Sequence, residues 1–408
     1  MGLTKELNNF DGVEIPYGCY WTTPFSRWQG SFSHLHSLQF AAHVTEYELQ
    51  KRSIQKDLID FGVLGSTRPE IGAFYGMPYV SGLAGLTHVG GPTVSQACAT
   101  GIRAIITAAH EIRIGLAKCA LAITCDRTSN GPHIYYPDPK GPGGTGQEEN
   151  FILDNMSRDP LGNHSMTLTA ENVASKYKID TQAQHSLVLR REDQYKEALK
   201  NNCAFQRKFM SLPFSVPDSR FKRELDVIEG DEGVRKSSEK ELLKLKPVMD
   251  EGTVTYAGQT YPADGNAGII ISSTEIAREL RTDKSITIKL IGYGLARTKL
   301  AFMPEATIEA TNIALSSANL KASKIDIVKT HNPFAVNDIV LCSEIGFDLE
   351  KINNFGCSLV YGHPNAPTGM RGAIELIEEL ALTGGGLGLF TGCAAGDTAM
   401  SLVLKVDM

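Results

Sequence analysis

Apolar and polar positions along this chain form short segments that predict helices and strands in alternation. The run IRAIITAAHEIRIG (102–115) has apolar residues at helical spacing. The run ALAITCD (120–126) is short and apolar, which is typical of a buried strand. From residue 253 the pattern returns and continues to the end of the chain, as in IDIVKTHNPF (325–334). Such alternation predicts an α/β fold whose sheets are covered by helices.

The segment 127–250 differs, because it is richer in charge, proline and asparagine. We interpret PDPKGPGGTGQEEN (137–150) as a loop and residues 171–202 as helices. The charged stretch DSRFKRELDVIEGDEGVRKSSEKELLKLK (218–246) predicts a mobile segment. We therefore expect an inserted domain here. The predicted domains are an N-terminal half of residues 1–126 and 251–279, a loop domain of residues 127–250, and a C-terminal half of residues 280–408.

A short internal similarity supports two related halves. CATGIRA (98–104) and CAAGDTA (393–399) both read C-A-x-G-x-x-A, on either side of the insertion. A pseudo-twofold relation between the halves would bring Cys98 and Cys393 to equivalent places, in one shared site.

Composition excludes several classes of protein. A net charge of -6 without a dense basic stretch argues against a general nucleic-acid binder. We find no run of about 18 apolar residues, so we expect no membrane span. The start of the chain, MGLTKELNNFDGVEIPYG, lacks the apolar region of a secretory signal, so we expect a cytoplasmic protein. The eight cysteines form no CxxC pair, which favours free thiols in a reducing compartment.

Cofactor motifs are missing from the sequence. There is no Walker loop and no GxGxxG after a strand, so a nucleotide cofactor has no support. The pair His34 and His36 has no cysteine or further histidine nearby, so we expect no metal site.

Cys98 stands in SQACATG, where a strand gives way to a helix. The positive end of the helix dipole lowers the pKa of a thiol at that position, and nearby backbone N–H groups can stabilise an oxyanion. The alternative is a cysteine buried for packing.

Other polar residues stand at turns where chemistry is possible. His363 lies in a proline-rich turn before a helix and could accept a thiol proton, or it could be satisfied by backbone. His331 and Asn332 follow a strand, where sites lie in open α/β sheets, although they could simply cap the next helix. Cys393 could act as an acid or base, or it could be a packing residue. Asp264 fits a turn better than a catalyst.

Taken in order, several segments resemble the motifs of the thiolase family over nearly the whole chain. They are TPFSRWQGSF (23–32), SQACATG (95–101), SMTLTAENVASKYKI (165–179), GTVTYAG with DGNAG (252–268), HNPFA (331–335), GHPNAPTGMR (362–371) and GCAAGD (392–397).

The resemblance implies a thiolase fold: two αβαβα halves in a five-layered arrangement, plus an inserted loop domain. It implies that Cys98 takes the acyl group as a thioester and that His363 activates Cys98. Cys393 would move the proton at the α-carbon, and His331 would complete a first oxyanion site. Backbone N–H groups of Cys98 and Ala395 would form a second oxyanion site.

The chain departs from the family pattern at several positions. His331 stands where the family usually has Asn, as in thiolases of the sterol-carrier-protein type, and gives a Cys-His-His set similar to that of ketoacyl synthases. Ala366 and Ala395 replace glycines, and Tyr261 with Pro262 replaces a small Ser-Gly pair near CoA. The residues expected to contact substrate or CoA are Met166, Tyr261, Asn332 and Phe334.

The resemblance implies an acyl-CoA C-acyltransferase that cleaves a 3-oxoacyl-CoA with CoA, which is a substrate rather than a bound cofactor. The departures favour a bulky or aromatic substrate, similar to that of the 2-benzoylsuccinyl-CoA thiolase subunit of aromatic degradation. The alternatives are a condensing or ketoacyl-synthase-like enzyme and a non-catalytic scaffold subunit. A homodimer core and a small zinc-ribbon/OB-fold partner subunit are also expected.

Overall fold

The computed structural model describes residues 10–408. Residues 1–9 lie outside the described residues. They are the first residues of the predicted N-terminal half and the first half of the segment that was compared with a secretory signal. Over the described range the strands are β1 (Val13–Glu14), β2 (Tyr20–Thr22), β3 (Ser26–Arg27), β4 (Phe61–Gly65), β5 (Thr93–Val94), β6 (Cys119–Asp126), β7 (His133–Pro137), β8 (Gly146–Asn150), β9 (Phe214–Pro217), β10 (Glu224–Ile228), β11 (Ala263–Ser273), β12 (Thr287–Arg297), β13 (Ile327–His331), β14 (Gly386–Ala394) and β15 (Thr398–Asp407).

The α-helices of the same range alternate with these strands. They are α1 (Ser37–Lys51), α2 (Met77–Leu83), α3 (Thr100–Arg113), α4 (Leu153–Ser157), α5 (Met166–Tyr177), α6 (Thr181–Cys203), α7 (Glu239–Leu242), α8 (Thr274–Leu280), α9 (Ala306–Ser317), α10 (Ala335–Ile345), α11 (Ser358–Tyr361) and α12 (Ala366–Leu382).

The main sheet has two halves joined through β1. One half runs β5-β4-β6-β11 and the other runs β13-β14-β15-β12, and β1 pairs with both β11 and β12. In the first half β4 is parallel to β5 and β6, while β11 is antiparallel to β6. In the second half β13 is parallel to β14, and β15 is antiparallel to its neighbours. The predicted α/β fold is therefore confirmed.

Two buried helices form the middle layer between the halves. Helices α3 and α12 pack against each other and against strands of both halves. Helices α1 and α2 pack on the first half, and α9 packs on the second. At the crossing, a Cβ added to Gly101 would lie 2.5 Å from the backbone nitrogen of Met370, so glycine allows this close approach. The order helix, sheet, paired helices, sheet, helix is the expected five-layered arrangement.

The periodic segments fold as predicted, but two polar segments do not. Helix α3 and strand β6 occupy the predicted runs, and all eight residues of β6 are buried. The stretch expected to be a loop, 137–150, contains strand β8, which pairs with β7 in a hairpin. The elements of the expected loop domain, from β7 to α7, lie between β6 and β11. The exact domain boundaries stay a prediction.

The charged stretch 218–246, expected to be mobile, contains β10 and α7, and it supplies a core ion pair. Asp231 and Arg371 of α12 are both fully buried, with 2.6 Å between the carboxylate Oδ1 and the guanidinium Nη1. The guanidinium also stacks 3.6 Å from the ring centroid of Tyr361. The charged composition of this stretch predicted mobility. In the structure, its Asp231 carboxylate is instead buried against Arg371.

The suggested equivalence of Cys98 and Cys393 is wrong. Cys98 precedes helix α3, whereas Cys393 lies within strand β14. The counterpart of the Cys98 turn is the turn that carries His363 before α12, because α3 and α12 are the two helices of the middle layer.

In residues 10–408, no helix combines the length and the apolar character needed to cross a membrane.

Candidate active site

The turn between β5 and α3 presents the Cys98 sulfur. Ala97 has a φ of 44°, an uncommon value for a residue with a side chain. Thr100 fixes the turn, since its hydroxyl donates to the Ala97 carbonyl at 2.7 Å and accepts from the Gln96 N–H at 2.8 Å. Cys98 remains partly exposed, so a substrate can reach its sulfur.

His363 lies against this sulfur from the other half of the chain. The distance from His363 Nε2 to Cys98 Sγ is 3.1 Å, and the distance from His363 Nδ1 to Thr368 Oγ1 is 2.7 Å. If Nδ1 carries the hydrogen and donates it to Thr368, Nε2 is free to accept the thiol proton. Asp126, at the end of β6, accepts from the first N–H of α12, at Ala366, at 2.8 Å and so joins the two halves beside the pair.

The resting pair is a neutral thiol and a neutral imidazole. Burial raises the pKa of the Cys98 thiol to about 11, although the Ala395 N–H and the charge of Arg68 act in the opposite direction. Burial also lowers the pKa of His363 well below its usual value, with help from His331 and Arg68. The expectation of a lowered thiol pKa is therefore wrong in direction, because desolvation outweighs the helix dipole. The thiol proton must pass to His363 as the sulfur attacks.

His331 lies beside His363 at the end of β13. The two rings stack with centroids 4.0 Å apart and planes at 27°. Burial lowers the pKa of His331 to about 3, so this ring is neutral. Its Nδ1 lies 2.8 Å from the hydroxyl oxygen of Ser358, while its buried Nε2 has no partner within residues 10–408. The Ser358 hydroxyl can donate to this Nδ1 or to Asn332 Oδ1, which lies 3.2 Å away, and when it donates to Nδ1 the His331 Nε2 carries a hydrogen that can be donated to a substrate oxygen.

Cys393 is the second thiol of the site. It is fully buried, and burial raises its pKa, with a further contribution from Cys98. The side-chain amide of Asn337 donates to its sulfur at 3.2 Å. The effect of Cys98 on this pKa indicates that the two thiols lie near each other, while the role of Cys393 stays a prediction. A protonated thiol at Cys393 can donate a proton to a carbanion.

A cavity of about 200 Å³ opens over Cys98 and His363. Met166 and Phe334, two of the residues expected to contact substrate, line it, and so does Ala395. Tyr261 and Asn332 are outside its lining. The Tyr261 hydroxyl donates to the carbonyls of Glu232 and Val360.

Asn332 is fully buried and its amide is used within the protein. It donates to Asp338 at 2.7 Å and accepts from the N–H of Leu359 at 3.2 Å. Contacts of Tyr261 and Asn332 with CoA therefore stay predictions, whereas these hydrogen bonds give both residues a structural role.

Ligand atoms of Cys98, His331 and His363 lie within 4.8 Å of one another and could hold a metal ion. The two histidines weighed as a metal site in the sequence, His34 and His36, make other contacts. His34 Nε2 lies 2.9 Å from the Pro217 carbonyl, and His36 caps helix α1.

Several residues of the site were not singled out from the sequence. Asn365, which has a φ of 59°, extends its amide to within 3.9 Å of the Cys98 sulfur. Its place directly after the His-Pro pair was the one available signal. Arg68, Asn337 and Ser358 carry no sequence signal, because each acts through a partner far away along the chain.

Comparison with known proteins identifies the family of this chain. The family model for the thiolase N-terminal domain matches residues 21–275, and that for the thiolase C-terminal domain matches residues 285–406. An acetyl-CoA acetyltransferase of Escherichia coli (strain K12) is 27% identical over 94% of this chain and 96% of its own. A 3-ketoacyl-CoA thiolase of Colwellia psychrerythraea is 27% identical over 99% of both chains.

Solved structures share the fold. Human mitochondrial 3-ketoacyl-CoA thiolase superposes with a TM-score of 0.87 at 23% identity, covering 98% of this chain and 99% of that one. The acetyl-CoA acetyltransferase of Bacillus anthracis gives a TM-score of 0.88 at 22% identity, with the same coverage. Because both family models match and together span most of the sequence, the chain belongs to the thiolase family of acyltransferases.

Proposed function

We propose that this protein cleaves a 3-oxoacyl-CoA with CoA, through a thioester on Cys98. The observation that carries the proposal is the 3.1 Å contact between Cys98 Sγ and His363 Nε2 at the floor of a cavity. A nucleophile and a base within hydrogen-bond reach are what covalent acyl transfer needs.

In the first step the Cys98 sulfur attacks the 3-oxo carbon while His363 Nε2 takes the thiol proton. The new oxyanion accepts hydrogen bonds from the backbone N–H groups of Cys98 and Ala395, both of which point to the sulfur. The bond between C2 and C3 then breaks, so that the acyl group stays on Cys98 and the electron pair forms a thioester enolate.

In the second step the enolate is stabilised and protonated. His331 Nε2–H, which has no partner within residues 10–408, donates to the enolate oxygen. The Cys393 thiol gives its proton to C2 and becomes a thiolate, and the CoA ester that carries C1 and C2 leaves, which is acetyl-CoA when C2 has no branch. Free CoA loses its thiol proton to Cys393 and attacks the Cys98 thioester. Cys98 leaves with the proton held on His363, which restores the starting state.

The apolar wall of the cavity supports a bulky acyl group. Met156, Met166 and Met303 line it together with Ile152 and Phe334. Methionine side chains adapt to irregular shapes, so this wall can accept a branched or aromatic group. We extend the proposal to substrates of the 2-benzoylsuccinyl-CoA type in aromatic degradation, which a comparison of thiolysis rates with linear 3-oxoacyl-CoA substrates would test.

Mass spectrometry tests the covalent step. A 3-oxoacyl-CoA mixed with the protein should leave an acyl adduct on Cys98, and Cys98→Ser should abolish both adduct and turnover. Cys203→Ser is the matched control, since Cys203 is the other partly exposed cysteine and lies outside the cavity. Unchanged turnover in Cys98→Ser would eliminate the mechanism and leave the scaffold alternative.

Condensation is the second candidate. The stacked His331 and His363 beside Cys98 form a Cys-His-His set, and the proposed steps are reversible. Initial rates measured in both directions, with the same acyl group, decide between thiolysis and condensation.

A homodimer core is part of the proposal. Strand β5 is at the edge of the sheet, and beside it Ile71, Phe74 and Tyr75 are 89%, 96% and 70% exposed. Exposed apolar clusters of this kind mark interaction surfaces. Phe74→Glu should shift the sedimentation coefficient toward that of a monomer, whereas Leu243→Glu, at an exposed apolar residue elsewhere on the surface, should not.

A small zinc-ribbon/OB-fold partner and a cytoplasmic location stay predictions. Co-purification of the protein from its native source, followed by zinc analysis of any second subunit, would test the partner.

A further inference from the structure

Arg68 is a buried cation in the wall of the cavity that holds Cys98 and His363. It follows strand β4 and is 8% exposed. Its Nε atom has no hydrogen-bond partner within residues 10–408. A guanidinium withdrawn from water with unused donors is costly, which suggests that a ligand completes it.

Two carboxylates lie near enough to stabilise this charge without occupying its donors. Asp126 and Asp264 act on Arg68 electrostatically, although no hydrogen bond or ion pair of Arg68 is found within residues 10–408. The Asp126 oxygens are already taken by the Thr67 N–H at 2.8 Å, the Thr67 hydroxyl at 2.7 Å and the Ala366 N–H at 2.8 Å.

Asp264 is held in a similar way. Its Oδ1 accepts from the N–H groups of Thr128 at 2.7 Å and Ser129 at 2.9 Å, as a turn residue does. The other Asp264 oxygen, Oδ2, is buried and has no hydrogen-bond partner within residues 10–408, Arg68 included, so the N–H donors of the guanidinium stay available to a molecule in the cavity.

The position of Arg68 indicates which part of a substrate it would meet. Its charge acts on both Cys98 and His363, so it lies near the atoms that receive the acyl group. The phosphates of CoA are separated from the thioester by the whole pantetheine arm. Apolar groups also lie on this side of the cavity, with Ile152 in the lining and the Phe151 ring centroid 5.8 Å from the guanidinium carbon.

We propose that Arg68 binds a carboxylate carried by the acyl part of the substrate, so that the preferred substrates are 3-oxoacyl-CoA esters of dicarboxylic acids. Substrates of the 2-benzoylsuccinyl-CoA type, whose carboxylate lies on the departing CoA ester, are then the competing alternative. The inference rests on the proposed thiolysis. A guanidinium matches the planar carboxylate with two parallel N–H donors, and such charge-assisted pairs are strong in a site shielded from water.

The test compares two substrates of equal chain length, 3-oxoadipyl-CoA with a terminal carboxylate and 3-oxohexanoyl-CoA without one. The native protein should show a kcat/KM about 10- to 100-fold higher for 3-oxoadipyl-CoA, the range expected for a hydrogen bond to a charged group. In Arg68→Met this ratio should fall toward one, and Arg68→Lys should keep an intermediate ratio. Arg190→Met removes an exposed, distant guanidinium and should retain the native ratio.

A second pair of substrates locates the carboxylate. Substrates with a carboxymethyl or a propyl branch at C2 place the charge on the departing CoA ester instead of the acyl group. A preference confined to this second pair would overturn the assignment to the acyl group.

Two further results would overturn the proposal. The first is equal kcat/KM for 3-oxoadipyl-CoA and 3-oxohexanoyl-CoA in the native protein, which needs no variant to fold. The second is an equal loss for both substrates in Arg68→Met, which would make Arg68 only a charge partner of Asp126. Failure of the proposed function is distinct, since then neither substrate is cleaved and Cys98 carries no adduct.

Discussion

Replacing Gly101 by alanine should damage both stability and catalysis, because the two central helices touch at this residue. A Cβ there would lie 2.5 Å from the Met370 nitrogen, 2.7 Å from the Ala366 oxygen and 3.1 Å from the Gly369 carbonyl carbon. All three are backbone atoms, so no side-chain rotation can relieve the contact. Helices α3 and α12 would have to move apart.

The size of the effect follows from these distances. Ordinary contact begins at 3.4 Å, so a contact of 2.5 Å requires a separation of roughly 0.9 Å. Overpacking of this kind costs about 1–3 kcal/mol. Alanine regains about 1 kcal/mol relative to glycine in a helix, so we expect a net loss of up to about 2 kcal/mol in the free energy of unfolding.

Catalysis should suffer more than stability. The Cys98 and His363 turns stand at the starts of these two helices, so separation lengthens the 3.1 Å contact between sulfur and imidazole. A misplacement of about 1 Å can lower kcat about 100-fold.

Urea unfolding and thiolysis kinetics measure the two effects. Gly82→Ala is the matched control, because Gly82 is also helical but a Cβ there meets nothing within 4 Å. It should leave kcat unchanged and the free energy of unfolding equal or slightly higher. A Gly101→Ala protein with native stability and native kcat would refute the reasoning.

Three further predictions follow from single contacts. Ser358→Ala should lower kcat about 10-fold with little change in KM, because the Ser358 hydroxyl fixes the hydrogen on His331 Nε2, and Ser358→Thr should restore kcat. Equal activity of both variants would contradict this role. Asp231→Asn should lower the free energy of unfolding in urea by about 3–5 kcal/mol, because it leaves Arg371 buried without its bidentate partner, and a loss below about 1 kcal/mol would contradict it. Alkylation of Cys98 by iodoacetamide should accelerate with pH well above pH 9, because only the thiolate reacts and burial raises the thiol pKa to about 11; a rate already constant above pH 7 would contradict the neutral resting pair.

The sequence predicted those parts of the fold that depend on local apolar pattern. Helix α3 and strand β6 occupy the predicted runs, since periodic apolar residues report which face of an element is buried. The pattern failed for 137–150 and for 218–246. Polar strands and buried charges depend on partners elsewhere in the chain, which a local pattern does not contain.

The sequence also supplied the chemical groups of the site. The ordered motifs identified Cys98, His363 and Cys393, and the cavity lining includes the first two. Their protonation was not predictable. Position at a helix start suggested a lowered thiol pKa, while the pKa is raised because desolvation sums over every group packed around the sulfur.

By itself, the sequence determined the alternation of elements and the family, and it predicted the nucleophile and its base. Only the tertiary structure decided that His363, rather than Cys393, is the counterpart of Cys98 in the other half. Only the tertiary structure placed Arg68 in the same cavity as these residues. The physical reason is that apolar periodicity is a property of the residues within one helix or strand, whereas the environment of a buried polar group is set by elements far apart along the chain.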